Sequence, residues 1–417
     1  MSEMTAMVLA GGGGEPLSVL TAERAVSALP FGGKYRVIDF VLSNCTHSGV
    51  TRIGVLTQHA PTSLHDHIGA GRPWDLDRRG GSVTILQPYV TRQRSGWYRG
   101  TADALVRNWS DTREPHGERT LVLAGDHVYR MDYRELQGFH EERGATLTLP
   151  VARVGPSEVH RFGMVTADAG GRVRRMDEKP AESASPFASM GIYLFETAAL
   201  DQALRAGPVD LVREIVIPMI EGGERVFAYE FESYWEDVGT VETYYRSNLE
   251  LLAPEPRLRL LDPDWPILTR DEERAPAIFG AHAAVAGSLV AGGCRVDGEI
   301  ESSILFPGVV VERGATIRGA LLFNDVVVRA GARVERCILD KFVEVGANAR
   351  IGGESASRDP FDGEGLTLMG KDVHVPAGAR IGRGVVVGVG AGPGDLGNGD
   401  VPDGAVVAGR AAGGGWA

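Results

Sequence analysis

The stretch AMVLAGGGGEPLSVLT, residues 6–21, decides the fold of the first half of the chain. An apolar strand runs directly into four glycines, an arrangement that lets backbone N–H groups approach phosphates closely. The loop then continues with Glu15 and Pro16, without an arginine or lysine to hold a triphosphate. The stretch therefore predicts a nucleotide loop at the end of a sheet strand, with its usual charge missing.

Short apolar strands alternate with amphipathic segments along the first 250 residues. RTLVLAGDHVY, for example, is followed by the helical pattern YRELQGFHEER. Strands separated by helices predict an α/β fold with a mostly parallel sheet covered on both faces. Because ligands bind beyond the carboxyl ends of such strands, the glycine loop and AGDH should share one rim of the sheet.

From about Ala277 onward the composition changes: glycine, valine, isoleucine and alanine dominate, and helix-forming residues are few. The pattern V-x-x-[GN]-A-x-[IV] begins at Val311, Val328, Val345, Val375 and Val401, and the first three starts are 17 residues apart. This spacing, with Gly or Asn where a left-handed turn is needed, predicts a parallel β-helix of hexapeptide repeats, with a β-sandwich as the alternative. A proline-rich linker at 251–275 separates the predicted domains, 1–250 and 276–417.

Composition narrows the class of protein. A net charge of −12 over 417 residues argues against a nucleic-acid binder, but a local cationic pocket for an anionic substrate remains compatible with it. No apolar run approaches the ~18 residues of a membrane span, and no signal peptide is visible. The three cysteines have neither disulfide nor metal spacing, which predicts buried core residues and a cytoplasmic location.

Two aspartates are candidates for Mg²⁺ binding. Asp126 ends the strand LVLAGD, and Asp237 follows another apolar run, in YWEDVGT. Carboxylates that converge on one Mg²⁺ could bridge a nucleotide phosphate and an attacking sugar phosphate. Either aspartate alone would more often be a turn or helix-cap residue.

Two further segments are candidates for anion binding. Lys179, next to Glu178 in DEKP, could neutralise a sugar phosphate, or could be an ordinary solvated charge. GWYRGTADA places Tyr98, Gly100 and Asp103 at the start of a helix, where small residues can accept an anion or a sugar hydroxyl. A simple capped helix start is the alternative.

Together these motifs resemble the glucose-1-phosphate adenylyltransferase family, also called ADP-glucose pyrophosphorylases. The resemblance rests on PFGGKYRVIDFVLSNCTHSGVTRIGVLTQ, WYRGTADA, LAGDHVYRMDY, EKP, ASMGIYLF, YWEDVGT and DPDWPILT. It implies a Rossmann-like nucleotidyltransferase domain followed by a left-handed β-helix. It also implies that glucose 1-phosphate attacks the α-phosphorus of ATP, giving ADP-glucose and pyrophosphate for glycogen or starch synthesis. Positioning and charge stabilisation carry such a reaction.

The resemblance also implies roles for single residues. Asp126 and Asp237 would hold Mg²⁺, and the sugar phosphate would bind at Gly163, Glu178, Lys179 and Ser189. The nucleotide would bind at Gly11, Gly12, Gly14, Tyr98 and Gly100. Family members are usually metabolite-regulated tetramers, which implies a homotetramer or a hetero-oligomer with a catalytic paralogue.

The departures from the family pattern fall on the triphosphate side. Pro16 stands where the family has the triphosphate-binding arginine, and Val26 replaces a lysine in RAVSAL. The segment PYVTR, 88–92, replaces P-x-Q-Q-R, whose glutamine recognises the adenine in the family. Arg24 or Arg92 could compensate for the lost charge.

Three hypotheses follow. The first is an active pyrophosphorylase, slow or altered in nucleotide preference, and both retained aspartates favour it. The second is a non-catalytic regulatory subunit that binds sugar phosphate, favoured by the one-sided loss of charge. The third is acyl transfer on the β-helix, where His374 lies without an evident partner for a general base.

Overall fold

The computed structural model describes residues 4–77, 81–89, 96–109, 117–353, 363, 365–397 and 399–409. The chain divides into two compact units. The first comprises residues 1–12 and 38–235, and the second comprises residues 13–37 and 236–417. Among the described residues, none of the helices has both the length and the apolar composition needed to cross a bilayer.

The first unit is built on a ten-stranded mixed sheet within the described residues. Nine strands follow one another across it in the order Val173–Glu178, Gly163–Ala167, Phe187–Ser189, Leu147–Arg153, Ile192–Glu196, Arg119–Ala124, Met4–Leu9, Arg52–Leu56 and Ser82–Leu86. The tenth strand, Val226–Glu230, pairs in parallel with Leu147–Arg153. The strand His127–Tyr129 also lies in this unit, and Trp235–Asp237 crosses the limit between the units.

One side of this sheet is parallel and positions the predicted loops. Met4–Leu9 pairs in parallel with both Arg52–Leu56 and Arg119–Ala124, so the carboxyl ends of the three strands meet at one edge. The other side is largely antiparallel: Ile192–Glu196 runs against Arg119–Ala124, and Gly163–Ala167 forms a hairpin with Val173–Glu178 across residues 168–172. The predicted α/β sheet is confirmed, with its parallel half beneath the glycine loop.

Helices and turns connect the strands. The α-helices are α1 Val37–His47, α2 Thr62–Ile68, α3 Thr101–Asn108, α4 Tyr133–Arg143, α5 Thr197–Leu204, α6 Ile217–Glu221 and α7 Val241–Leu249. The other helical elements are the 3₁₀ helices Glu15–Thr21, Val26–Ala28, Arg72–Trp74, Pro156–Arg161 and Glu250–Leu252, and the π-helical turn Val212–Val216.

The second unit contains three parallel sheets, in which each strand pairs with its counterpart on the next coil. The first sheet contains Ile278–Phe279, Arg295–Val296, Val310–Val311, Val327–Val328, Glu344–Val345 and His374–Val375. The second contains Ala284–Ala286, Glu299–Glu301, Thr316–Arg318, Arg333–Glu335, Arg350–Gly352, Arg380–Ile381 and Asp400–Val401. The third contains Leu289–Val290, Ile304–Leu305, Leu321–Leu322, Cys337–Leu339, Thr367–Met369, Val386–Val387 and Val406–Val407. This arrangement confirms the predicted parallel β-helix.

The corner residues of the repeats have the backbone conformation that the pattern predicts. Gly314, Gly331 and Gly378 have φ between 70 and 74°, and Asn348 has φ 58°. In the first four repeats, the valine that opens the pattern lies on the first sheet. The fifth repeat is shifted by one face, because Val401 pairs with Ile381 on the second sheet.

The remaining predictions about the architecture concern the cysteines and the linker. Cys45, Cys294 and Cys337 are all free and buried, as predicted. No helix or strand lies between Leu252 and Ile278, a stretch that the structure describes throughout. The domain limits stay a prediction. The interruption predicted between coils, GESASRDPFDGEG, lies largely outside the described residues.

A buried ion pair attaches the segment 13–37 to the β-helix within the second unit. Arg24 donates from Nη2 to Asp340 Oδ1 at 2.8 Å and from Nη1 to the Leu20 carbonyl at 3.2 Å. The side chains of Arg24 and Asp340 are only 3% and 2% exposed. Removing one partner of such a pair leaves the other charge buried and uncompensated.

We therefore expect Asp340→Ala to lower the free energy of unfolding by about 3 kcal/mol, the cost of breaking a buried pair from one side. The matched control is Glu301→Ala, which removes an exposed ion pair to Arg318 on the same β-helix and should cost less than about 1 kcal/mol. Guanidinium unfolding followed by circular dichroism measures both variants. An equal loss of unfolding free energy in the two variants would show that the buried ion pair stabilises the fold no more than the exposed one.

Candidate active site

The first half of the glycine loop is held between two neighbouring strands of the first unit. Ala10 donates its backbone N–H to the Leu56 carbonyl at 2.8 Å, and Gly125 donates to the Leu9 carbonyl at 2.9 Å. A methyl group at Gly11 would lie 3.2 Å from Gln58 Cβ, whereas Gly12 has open space around it. The loop therefore keeps its backbone close to the sheet edge at Gly11 and accessible at Gly12.

Asp126 follows the strand Arg119–Ala124 at this same edge. Its side chain is 39% exposed, and its Oδ1 lies 3.6 Å from His127 Nε2. The other ring nitrogen of His127, Nδ1, lies 2.9 Å from the Met190 carbonyl, to which it donates. This hydrogen bond fixes the imidazole ring beside the carboxylate.

Three of the predicted sugar-phosphate residues meet in one place. Gly163 is the direct antiparallel neighbour of Glu178. A methyl group at Gly163 would lie 2.9 Å from Glu178 Oε2 and 3.9 Å from Ser189 Cβ, and would overlap the end of Met176. Only glycine leaves space beside this carboxylate and the buried hydroxyl of Ser189.

Glu178 and Lys179 have opposite surroundings. Burial raises the pKa of Glu178, the neighbouring Asp210 raises it further, and the charge of Lys179 opposes the shift. Lys179 itself is exposed and takes a left-handed backbone conformation, with φ 53°. Its N–H donates to the Phe162 carbonyl at 3.0 Å, which fixes the backbone after the strand.

Tyr98 and Gly100 are held by packing. Gln58 bridges the backbone of Tyr98 on both sides, accepting from its N–H and donating to its carbonyl. Burial raises the pKa of Tyr98 to about 12. A methyl group at Gly100 would meet the Val209 carbonyl, which already accepts from two N–H groups in the first turn of α3, those of Ala102 and Asp103. The close approach of Val209 therefore explains the glycine, and its predicted role in binding stays a prediction.

A pocket of about 280 Å³ opens in the first unit beside Gln58. Its lining residues are Thr57, Gln58, Pro61, Gln87, Pro88, Tyr89, Gly96 and Trp97. Tyr89 and Trp97 are exposed, so their ring faces can stack on a flat ligand, and the exposed amide of Gln87 can contact its edge, while that of Gln58 is held by the Tyr98 backbone. Apart from Pro88 and Tyr89 in the altered PYVTR segment, no sequence motif points to these residues. Val90 to Arg92 of that segment lie outside the described residues, and so does the proposed compensation by Arg92.

The second half of the glycine loop belongs to the second unit. Gly14 has φ 63°, and a methyl group there would overlap Cγ2 of Val26. Val26 is only 4% exposed, so the family's lysine position is filled by an apolar side chain packed beneath the loop. Pro16 is exposed in the first turn of the 3₁₀ helix Glu15–Thr21.

Arg24 is fully engaged by Asp340 and the Leu20 carbonyl, as described above. A move of its guanidinium to the triphosphate would break this buried ion pair. The suggested compensation by Arg24 therefore carries a large cost.

The candidate metal ligands fit Mg²⁺ in chemistry. Asp126 lies in the first unit and Asp237 in the second, each partly exposed, and Asp237 Oδ1 accepts from the Gly239 N–H at 2.8 Å. Carboxylate oxygens are the donors that Mg²⁺ prefers, and it retains several waters when few protein ligands are present. The described residues contain no cluster of three or more His, Cys, Asp or Glu placed to hold a metal, and the binding of one Mg²⁺ by Asp126 and Asp237 stays a prediction.

His374 lies on the surface of the β-helix. Its Nδ1 is 3.6 Å from Glu344 Oε2, and Glu344 also accepts from Arg329 at 2.6 Å. A surface ion-pair ladder accounts for His374 without an acyl-transfer role.

Comparisons with known proteins agree with both units. Residues 5–253 match the nucleotidyl transferase family, and residues 276–361 match the family described as GlmU-like, C-terminal hexapeptide. A glucose-1-phosphate adenylyltransferase of Thermomicrobium roseum is 48% identical over 98% of this chain and 98% of its own length. Those of Thermotoga neapolitana and Fervidobacterium nodosum are 47% and 40% identical, over 95% and 93% of this chain and 96% of each relative.

Similarity at this level covers both units and runs along nearly the whole length of the curated relatives. The chain belongs to the glucose-1-phosphate adenylyltransferase family.

Proposed function

We propose that this chain transfers the adenylyl group of ATP to glucose 1-phosphate, forming ADP-glucose for storage-glucan synthesis and releasing pyrophosphate. A phosphate oxygen of glucose 1-phosphate attacks the α-phosphorus as the bond to the β-phosphate oxygen breaks. The observation that carries the proposal is the near-full-length similarity to curated enzymes with this name. The compact Gly163–Glu178–Ser189 cluster supports it from the structure.

Each part of this cluster has a task in binding glucose 1-phosphate. The carboxylate of Glu178 accepts hydrogen bonds from sugar hydroxyls, and the hydroxyl of Ser189 adds a polar contact beside it. Gly163 provides the space that the sugar needs. The ammonium of Lys179, next to Glu178 in the chain, neutralises the phosphate as a compact point charge.

Mg²⁺ would be held by Asp126 and Asp237, and when bound it would supply positive charge to the phosphates of the nucleotide. The backbone N–H groups of Gly11, Gly12 and Gly14 would orient those phosphates. Without a cation at positions 16 and 26, we expect turnover to be slow. The homotetramer or hetero-oligomer, the cytoplasmic location and the choice of Mg²⁺ over other divalent ions remain part of this proposal.

A methyl group added at Gly163 tests the proposed sugar-phosphate half of the active site. We expect Gly163→Ala to raise the KM for glucose 1-phosphate by at least about tenfold, because the new methyl group must displace Glu178 or Met176. The KM for ATP should change much less. Initial-rate kinetics with each substrate varied in turn measure both constants.

The matched control is Gly138→Ala, on the exposed face of α4, where a methyl group meets no other atom within 4 Å. It should leave both KM values unchanged and stabilise the fold by about 0.5–1 kcal/mol. An unchanged KM for glucose 1-phosphate in correctly folded Gly163→Ala would remove this cluster from the site.

A further inference from the structure

Three arginines occupy equivalent positions in successive repeats of the β-helix. Arg333, Arg350 and Arg380 each fill the variable position that follows the alanine in the pattern V-x-x-[GN]-A-x-[IV]. Their strands pair in parallel, with Arg333 opposite Arg350 and Arg350 opposite Arg380. Because neighbouring strands of a sheet lie about 4.8 Å apart, these residues form a ladder about 10 Å long, called the arginine ladder below.

The surroundings of the arginine ladder leave its charge largely uncompensated. All three side chains are exposed, and none of them forms an ion pair with a residue in the described part of the chain. The residues three positions earlier are alanines, and those two positions later are Glu335, Gly352 and Gly382. Asp400 lies opposite Arg380 at the end of the ladder. The three positive charges therefore face solvent, with carboxylates only at their margins.

The neighbouring column of the same sheet is built differently. Glu301, Arg318 and Glu335 alternate in sign from coil to coil, and Glu301 forms an ion pair with Arg318 at 3.3 Å. Like charges directly opposite one another on neighbouring strands destabilise a sheet, so the ladder costs stability that alternation avoids. The column of the ladder itself holds Glu299 and Thr316 in the preceding coils. The β-helix therefore does not need arginine at this position, and a ligand is the simplest reason for the charges.

The geometry of the ladder favours an acidic α-helix as that ligand. A helix rises about 5.4 Å per turn, so carboxylates three and four residues apart recur at nearly the spacing of the ladder. Side chains on one face of a β-strand recur only every ~6.7 Å. The three strands are also paired on both sides, which leaves no edge for an added strand. A sheet face lacks the concave shape that small ligands need.

We propose that the arginine ladder is a docking surface for an acidic helix of a partner protein, with one carboxylate on each guanidinium. The planar guanidinium binds a carboxylate through two parallel N–H···O hydrogen bonds. Bound carboxylates also remove the repulsion within the ladder. Since the chain has a net charge of −12, the rest of its surface repels an acidic partner and the ladder directs such a partner to one face. This role goes beyond the proposed reaction and does not depend on it.

The test uses fluorescein-labelled, alanine-based peptides of about 20 residues, a length at which such helices form in water. One peptide carries four glutamates on a single face, and the second has the same composition with the glutamates spread around the helix. Fluorescence anisotropy gives the dissociation constant of each peptide for the full chain. At low salt we expect the one-faced peptide to bind about fivefold more tightly than the other, and this difference should shrink as salt screens the charges.

The ladder variant, Arg333→Gln/Arg350→Gln/Arg380→Gln, should bind the one-faced peptide about tenfold more weakly, the combined effect of three exposed ion pairs. The matched control, Arg134→Gln/Arg153→Gln/Arg205→Gln, removes the same charge from the first unit. Its three side chains are 48%, 67% and 77% exposed, and the variant should bind like the wild type.

A stability measurement tests the ladder without any partner. Arg350→Gln should raise the urea midpoint of unfolding at low ionic strength, because Arg350 has a like charge on both sides. The increase should vanish at high salt. A lower midpoint would show that the arginines serve the fold and would overturn the inference.

Three binding outcomes would also overturn it. Equal affinity of the wild type and the ladder variant for the one-faced peptide would remove the ladder from binding. Equal affinity of the wild type for both peptides would mean that charge alone, without helical spacing, is recognised. Tighter, ladder-dependent binding of inorganic polyphosphate would assign the surface to a phosphate polymer. A change of oligomeric state in the ladder variant, measured by light scattering without peptide, would instead assign it to a second copy of this chain.

Discussion

Asp126→Asn is expected to lower kcat by about 10³-fold or more, while leaving the fold and glucose 1-phosphate binding intact. Asparagine keeps the shape of the side chain but removes the charge that the proposed reaction uses next to the phosphates, where one electrostatic contact is worth about 3–4 kcal/mol. The side chain is 39% exposed, so the substitution should change stability by less than about 0.5 kcal/mol. Pyrophosphate release under saturating substrates gives kcat, and thermal unfolding checks the fold.

The control for Asp126→Asn is Asp201→Asn, on α5. Asp201 Oδ1 accepts from Trp109 Nε1 at 3.0 Å, and the amide oxygen of asparagine can keep this bond. The control removes the same charge from the same unit and should retain wild-type kcat. If Asp126→Asn were as active as Asp201→Asn, Asp126 would have no part in catalysis.

Restoring the two missing charges has the second-largest expected effect. Pro16→Arg combined with Val26→Lys should raise kcat/KM for ATP by about ten- to a hundredfold, since a hydrogen bond to a charged group contributes about 1.5–3 kcal/mol. Most of the gain should come from Pro16→Arg, because this position is exposed and arginine also adds a backbone donor. Val26→Lys must place an ammonium where a buried side chain packs against Gly14, and should be costly by itself.

The four proteins of this cycle, wild type, two single variants and the double variant, are compared by initial-rate kinetics with ATP. Val406→Arg adds a positive charge at a site that is 77% exposed on the β-helix. This control should leave kcat/KM unchanged and so separates a local contact from a general effect of charge. A double variant with the kinetics of the wild type would mean that the loop does not contact the triphosphate.

The β-helix was the part of the fold that the sequence predicted best. Its repeats place a valine in the core and a Gly or Asn at a corner, and the left-handed conformations of Gly314 and Asn348 follow from that chemistry. The face that each repeat occupies was not predictable, because a period of six fits every face of a three-sided coil. Val401 accordingly lies on the sheet of Ile381 and not on that of Val375.

The antiparallel half of the sheet in the first unit was not predicted, because the alternation of strands and helices does not show how long each connection is. Only residues 168–172 separate the antiparallel strands Gly163–Ala167 and Val173–Glu178, and this connection is too short for a crossover helix. Connection length is therefore the sequence feature that predicts where a parallel sheet changes direction.

The candidate site likewise contains residues that the sequence identified and residues that only the structure brings together. Glu178 and Gly163 are neighbours because their strands form a hairpin; the motif EKP pointed to Glu178, and the family resemblance implied a role for Gly163. The pocket residues Thr57 and Gln87, which His65 contacts at 2.8 and 3.1 Å, belong to no motif, so only the structure brings them together. The filling of the lysine position by Val26 likewise became interpretable only once its burial was known.

In the most direct measurement, the purified full chain is incubated with glucose 1-phosphate, Mg²⁺ and each of the common nucleoside triphosphates in turn. Pyrophosphate and sugar nucleotide are quantified in the same reaction. The proposed function predicts equal amounts of pyrophosphate and ADP-glucose with ATP, at a slow rate that disappears in Asp126→Asn and rises in Pro16→Arg/Val26→Lys. No turnover with any triphosphate, alongside measurable binding of glucose 1-phosphate, would contradict it and identify the chain as a regulatory subunit.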